Sequence, residues 1–315
     1  VVTGQGVMAK GKKFPNTLSE FVGQENVVKQ LAVSILASHK SGHILPHILF
    51  TGPAGLGKTT LAECIARTIE APIKYATGGT IRNLNDVNEL IDWVNLRVGG
   101  ILFIDEIHAL PSKIEEIFFP IMQDFNFEGD SVNEFTLLGG TTNAGDLSKP
   151  LRDRFVYTFQ LDHYSEEAIK IILAKNWQIT PEAAHKLAIR SHGIPRIAKN
   201  YLQMCRDQAI IEDRHRVELS DVTSVMDRLE IDEEGLGPLE REILLILFEA
   251  PKAVGLEVIA LALDTEPVNL KQIHERILLQ KGYLVRVRSG RTITKRGLRY
   301  LIEKDLVDFE TGCRK

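Results

Sequence analysis

Gly52-Pro53-Ala54-Gly55-Leu56-Gly57-Lys58-Thr59 decides the reading of this chain. The spacing is GxxxxGK[ST]. It follows a short apolar run at residues 47–51 and precedes a helical pattern whose apolar face is Leu61, Ile65 and Ile69. A strand, a glycine-rich loop and a helix in that order point backbone N–H groups at the positive end of the helix, a cradle for polyphosphate. Gly52, Gly55, Leu56 and Gly57 supply its backbone, the Lys58 ammonium reaches the outer phosphates, and the Thr59 hydroxyl, with Thr60 beside it, is placed for Mg²⁺. The expectation is a site for ATP and Mg²⁺.

Further short apolar runs at residues 72–77, 101–105, 135–141 and 156–161 alternate with helical patterns. That alternation predicts an α/β domain with a parallel sheet covered by helices. The run at 101–105 ends in Asp105 and Glu106, at the sheet edge where phosphates would lie. Asp105 is expected to serve the metal, directly or through its shell, and Glu106 to act as the base for the attacking water. Residues 139–143 bring Thr141, Thr142 and Asn143 to the end of another strand, and Arg152 and Arg154 precede the last one. An arginine offered across a subunit boundary is worth on the order of 10³-fold or more in phosphoryl transfer.

Beyond Tyr164 the pattern is helical only and predicts a lid. Thr180 and Pro181 start one helix, Gly193 is placed to end it, and Ser220 to cap another. An acidic, glycine-containing linker at 231–238 follows. Three helical stretches (239–250, 256–263, 268–281) and two strands (283–288, 291–294) joined by Ser289-Gly290 then give a winged-helix order. Period-2 alternation predicts Val285 and Val287 inward, Arg286 and Arg288 outward. The expected division is a flexible segment 1–13, an ATPase domain 14–164, a lid 165–235, a winged helix 236–304 and a tail 305–315.

The 315 residues carry a net charge of −4 and 44% hydrophobic residues, an ordinary globular composition. Between residues 271 and 299, however, nine basic residues stand against one acidic, a net +8 that suits a polyanion. Phosphate contacts without base-edge readers imply structure-dependent or nonspecific binding of DNA. No apolar run reaches the ~20 residues of a membrane span and no signal-peptide core is present, so no membrane partner is expected. Three scattered cysteines, Cys64, Cys205 and Cys313, suit reduced cytoplasm. His39, His43 and His47 are spaced by four, but Gly42 and Pro46 interrupt them and no acid accompanies them, so they are expected to face solvent rather than hold a metal. Trp93 and Trp177 sit in helical patterns and are expected to pack.

The phosphate loop is joined by Leu18-Ser19-Glu20-Phe21-Val22-Gly23-Gln24-Glu25-Asn26, Leu102-Phe103-Ile104-Asp105-Glu106-Ile107-His108, Gly140-Thr141-Thr142-Asn143-Ala144-Gly145, residues 150–155, and Gly193-Ile194-Pro195-Arg196-Ile197-Ala198. Val254-Gly255-Leu256 and Leu279-Gln280-Lys281-Gly282-Tyr283-Leu284 follow. In that order these motifs resemble the AAA+ ATPases and, within them, the RuvB family of Holliday-junction branch-migration motors. The resemblance implies that Phe21, Val22 and Tyr164 line the adenine pocket. Thr142 would be sensor 1, Arg154 the finger reaching a neighbour's γ-phosphate, and Arg196 sensor 2. It further implies a homo-oligomeric, hexameric ring translocating DNA, with Arg286, Arg288 and Arg291 as DNA contacts. Four departures stand out. The stretch between Asp124 and Phe135 is short and acidic where the family carries a basic hairpin that engages RuvA, which argues against dependence on a RuvA-type partner. Phe14 and Asn143 replace arginines, and Ala54 replaces a proline. Two alternatives stay open. A clamp-loader-type ATPase would carry a helical collar and a Ser-Arg-Cys finger; an ATP-gated DNA-binding adaptor would use nucleotide as an assembly switch.

Overall fold

The computed structural model describes residues 15–308 and 313–314. The expectations for residues 1–13, for Phe14 and for part of the tail lie outside the described residues. Two compact units result, one running to Gln178 and including Gly193–Asn200, the other formed by Ile179–His192 and the chain from Tyr201 onward.

The first unit holds strands β1 (Ile48–Thr51), β2 (Ile73–Thr77), β3 (Ile101–Asp105), β4 (Asn126–Phe127), β5 (Asp130–Ser131), β6 (Thr136–Thr141) and β7 (Tyr157–Gln160). Its helices are α1 (Glu25–Ser41), α2 (Lys58–Thr68), α3 (Leu84–Asn95), α4 (Ser112–Asp124), α5 (Lys149–Arg152) and α6 (Glu166–Asn176). Five strands form one parallel sheet in the order β2-β3-β6-β1-β7. β1 and β6 are buried along their whole length, which is why they read as continuous apolar runs rather than alternations. Leu49, Leu102, Ile104, Phe118, Phe135 and Leu137 belong to a core cluster on this sheet; burying each such side chain contributes about 1.5–3 kcal/mol. Register places Thr51 beside Thr141 and Ile104 beside Gly139, so the tips of β1, β6 and β3 meet at one edge. β4 and β5 form only a two-residue-per-strand hairpin at residues 126–131.

His47 departs from expectation. It is buried at the entrance to β1, where Nε2 bonds Met122 O (3.0 Å) and Nδ1 accepts from Leu137 N–H (2.9 Å). Because Pro46 ends the helical spacing, the ring falls inside the sheet instead of on a solvent face.

The second unit contains α7 (Pro181–Arg190) and α9 (Leu219–Arg228), while α8 (Pro195–Ile211) begins in the first unit and ends in the second. Thr180 caps α7 as expected, its hydroxyl accepting from Ala183 N–H. Ser220 is not a cap: α9 opens at Glu218, whose N–H is accepted by Asp221 (2.8 Å). A carboxylate three residues into the helix and tied to Arg214 outcompetes an exposed hydroxyl. Nor does Gly193 end α7 directly; the helix closes at Ser191 and Gly193 turns the chain two residues later with φ +72°.

Then come α10 (Pro238–Glu249), α11 (Leu256–Ala262), α12 (Pro267–Asn269), a π-helical turn (Leu270–His274), α13 (Glu275–Gln280), the hairpin β8 (Leu284–Val287) and β9 (Gly290–Ile293), and α14 (Lys295–Glu303). Leu236, Ile243, Leu244, Leu278 and Leu301 centre their core. This is a helical module with a wing, not the collar that a clamp loader would require. Among the described residues no helix is long and apolar enough to cross a membrane.

Candidate nucleotide site and nucleic-acid face

The loop between β1 and α2 follows a path that glycine permits. Gly52 has φ +131°, and a Cβ there would lie 2.7 Å from Leu161 O; at Gly55, φ +84°, it would meet the Arg196 Cβ at 2.8 Å. The buried Lys58 ammonium folds onto the loop and donates to Gly52 O (2.8 Å) and Pro53 O (3.0 Å). Thr59 is exposed in the first turn of α2, beside the half-buried Thr60, and Leu56 is fully buried beneath the loop. Backbone N–H groups at a helix start, an ammonium, a hydroxyl and the carboxylate of Asp105 are the donor set that polyphosphate and Mg²⁺ take, so the residues fit both.

The β3 tip supplies the acids. Asp105 Oδ1 accepts from Glu106 N–H (3.0 Å), and Gly140 leaves room for it, since a Cβ at that position would lie 2.9 Å from the same oxygen. Glu106 adopts φ +46°, an uncommon conformation for a residue with a side chain, at the junction where the chain leaves the sheet. Its Oε2 accepts from Thr142 N–H (3.1 Å) and Thr142 Oγ1 (2.9 Å), and lies 3.2 Å from His108 Nδ1. Asn143 turns away to Asp146. Of the two polar residues at this strand end, Thr142 is the one that touches the acid. His108 was not singled out from the sequence; its signal is a position two residues behind Glu106, in the short turn at Ile107–Ala109, from which Nδ1 also meets Thr141 Oγ1 at 2.9 Å.

Phe21 and Tyr164 converge on the loop from the other side. A Cβ at Gly57 would lie 3.3 Å from the Phe21 ring and 3.4 Å from the Tyr164 oxygen, and Val22 is half-buried next to them. Tyr164 donates to Leu56 O (3.0 Å), and burial pushes its phenol above the ordinary range, keeping it neutral. Arg196, in the first turn of α8, packs its stem on Gly55, and its exposed guanidinium has no hydrogen-bond or ion-pair partner among the described residues.

Arg154 is elsewhere. β7 runs parallel to β1 with Tyr157 beside Ile48, so Arg154 precedes the starting edge of the sheet while the phosphate loop follows the finishing edge. The two ends of β1 alone are about 10 Å apart. Arg154 donates to Phe119 O (3.2 Å) and Pro150 O (2.6 Å) and stacks on the Phe119 ring (4.3 Å). It is therefore not brought to its own chain's loop.

The wing differs from its sequence reading by a register shift. Arg286 pairs with Arg291 and Val287 with Gly290, so Arg288 and Ser289 form the turn. Gly290 serves a close approach instead: its φ is +144°, a Cβ there would lie 2.3 Å from Val254 O, and Arg291 and Val254 exchange backbone hydrogen bonds at 2.8 and 2.9 Å. The pairing has moved by two residues, which leaves the alternation of faces unchanged. Val285 and Val287 are exposed rather than inward, and Arg286 is exposed as well; Arg286 and Arg291 both donate through Nε to the buried Glu275 at 2.8 Å. Glu275 too was passed over in the sequence.

Comparison with known proteins agrees with this architecture along the chain. Residues 14–161 match the family described as the Holliday junction DNA helicase RuvB P-loop domain, 164–232 the RuvB AAA lid domain and 233–302 the RuvB C-terminal winged helix domain. The RuvB subunits of the Holliday junction branch migration complexes of Fervidobacterium nodosum and Thermotoga maritima are each 36% identical over 306 residues. These matches span 91% of this chain and 88% and 91% of those proteins, respectively. The solved Thermotoga maritima RuvB Holliday junction branch migration motor is 36% identical with a TM-score of 0.83, covering 92% of this chain and 98% of that one. With phosphate loop, lid and wing matched in order, the chain belongs to the RuvB family of Holliday junction branch-migration AAA+ ATPases.

Proposed function

We infer that this chain is an ATP hydrolase that drives DNA translocation in Holliday junction branch migration. The observation that carries the inference is the meeting of the phosphate loop, Asp105–Glu106 and Thr142 at one sheet edge, in a chain that also bears a basic winged helix.

The loop N–H groups and Lys58 hold the phosphates, and Phe21, Val22 and Tyr164 border the base. Thr59 and Asp105 would hold Mg²⁺, which when bound would supply positive charge to the phosphates. Glu106 orients the attacking water and accepts its proton, while Thr142 and His108 fix which way the carboxylate points. Arg196, packed on Gly55 from the first turn of α8, reads the phosphates. Arg154, remote from its own loop, serves the loop of a neighbouring copy, so the working unit is a homo-oligomer, taken here as a hexameric ring. The winged helix engages DNA phosphates. The short hairpin at residues 126–131 offers little surface for a RuvA-type protein, and DNA engagement falls to the chain itself.

A strand-displacement assay on a synthetic four-way junction tests this, with and without a RuvA-type protein. ATP-dependent separation without that protein is expected. ATP turnover that DNA leaves unchanged, with no strand separation under either condition, would contradict the motor assignment.

A further inference from the structure

α7 carries Lys186 and Arg190 four residues apart, on one face of the helix. Two cations in that relation repel each other and weaken the helix unless an anion joins them. Both line a cavity of about 380 Å³ in the second unit, walled also by α9, by residues 231–233 and by Lys304, which closes α14. The lid and the last helix of the winged helix share this hollow.

Arg190 is the one buried polar side chain on the lining, 7% exposed. Its Nη1 donates to Lys186 O (3.2 Å), within the same helix, while its Nε is buried with no hydrogen-bond partner among the described residues. A buried donor left unpaired is costly, and such donors are rare in folded chains. The Lys186 ammonium has no hydrogen-bond or ion-pair partner among the described residues, and Lys304 reaches only Glu233, at 4.0 Å. Carboxylates on the same lining do not meet this need. Asp232 accepts from Leu236 N–H (2.9 Å) through one oxygen and from the Tyr300 hydroxyl through the other. Asp227 and Glu233 are exposed, Glu233 with 77% of its side chain in solvent. Val222 and Met226, both buried, add an apolar wall. The volume falls within the roughly 300–1,000 Å³ of small-molecule sites. Three cations with donors to spare beside an apolar wall suit a charged head on an apolar body.

We propose that this cavity binds a small organic anion, its carboxylate or phosphate head held by Arg190, Lys186 and Lys304 and its body against Val222 and Met226, and that the bound anion ties the lid to the end of the winged helix. The site shares no residue with the phosphate loop or the wing.

Titration calorimetry of the full chain with phenyl phosphate and with benzoate tests this, with ADP and Mg²⁺ in excess to occupy the phosphate loop. Inorganic phosphate supplies a head without a body. At least one aromatic anion is expected to saturate one site per chain, and phenyl phosphate to bind more tightly than inorganic phosphate. Lys186→Ala is expected to weaken binding by about 10-fold, Lys304→Ala to weaken it in the same direction, and Arg190→Gln to abolish it. Lys40→Ala, on α1, should leave it unchanged. Failure of both aromatic anions to saturate at millimolar concentration would mean that the cavity holds only water and would overturn the proposal. So would equal affinity in the wild-type chain and Lys186→Ala, which would put the bound anion elsewhere, or inorganic phosphate binding as tightly as phenyl phosphate. If Arg190→Gln does not fold, Lys186→Ala and Lys304→Ala, which remove no hydrogen bond within the chain, still decide.

Discussion

His47 couples the start of the sheet to pH. Burial lowers its pKa from 6.5 to about 4, only partly opposed by the bond to Met122 O, so the folded chain holds the ring neutral through the range where an exposed histidine charges. The unfolded chain takes up the proton first as pH falls below 6.5. Stability is therefore lost between pH 6.5 and about 4, by about 1.4 kcal/mol per pH unit in the steep part. Urea unfolding at pH 7 and pH 5 is expected to differ by about 2 kcal/mol from this group, and the difference should shrink in His47→Gln; an identical pH dependence in the variant would remove the assignment. At the β3 tip, Glu106→Gln is expected to bind ATP but hydrolyse it at least about 100-fold more slowly, measured by single-turnover phosphate release. Both sites show what a linear motif leaves out. Asp105 and Glu106 were legible because two acids ending an apolar strand have no packing role. The environments of His47 and His108 depend on residues 75–90 and 33 positions away.

Helix starts and hairpin turns depend on competition between neighbours. Asp221, 1% exposed, accepts from Glu218 N–H and from both Nη groups of Arg214. Burial alone would raise its pKa, but these donors bring it below the ordinary carboxylate value. Asp221→Ala is expected to destabilise the chain by at least about 1 kcal/mol from the lost cap alone, with Arg214 left unpaired on that side, whereas Ser220→Ala should change little. Equal melting temperatures for the two variants would contradict this placement. Thr180 was read correctly because proline follows it and nothing nearby outbids its hydroxyl. The Ser289-Gly290 turn was misplaced because glycine marks two physical needs, positive φ in a turn and close backbone approach, and the sequence does not say which one Val254 will impose. The central strands β1, β3 and β6 came within a residue of their observed ends because their burial on both faces leaves a continuous apolar signature.

At the scale of the molecule, the parallel sheet sends the phosphate loop and Arg154 to opposite ends of its strands, so under the proposed function one chain holds two halves of a catalytic centre without joining them. The loop was legible from its own spacing and Arg154 was nominated by the family resemblance; their separation needed the pairing of Tyr157 with Ile48. A centre assembled between copies makes a specific demand on mixtures. Glu106→Gln keeps its arginine and loses its base, while Arg154→Ala keeps its loop and base and loses its arginine. Each variant alone is expected to hydrolyse ATP poorly. Mixed at concentrations that permit assembly, they should regain turnover at interfaces where an Arg154→Ala loop meets the intact arginine of a Glu106→Gln neighbour. Steady-state ATP hydrolysis of the two pure variants and their equimolar mixture decides the matter. Recovery in the mixture is the expected result; an Arg154→Ala chain that is fully active by itself, or a mixture no more active than the mean of its components, would contradict it.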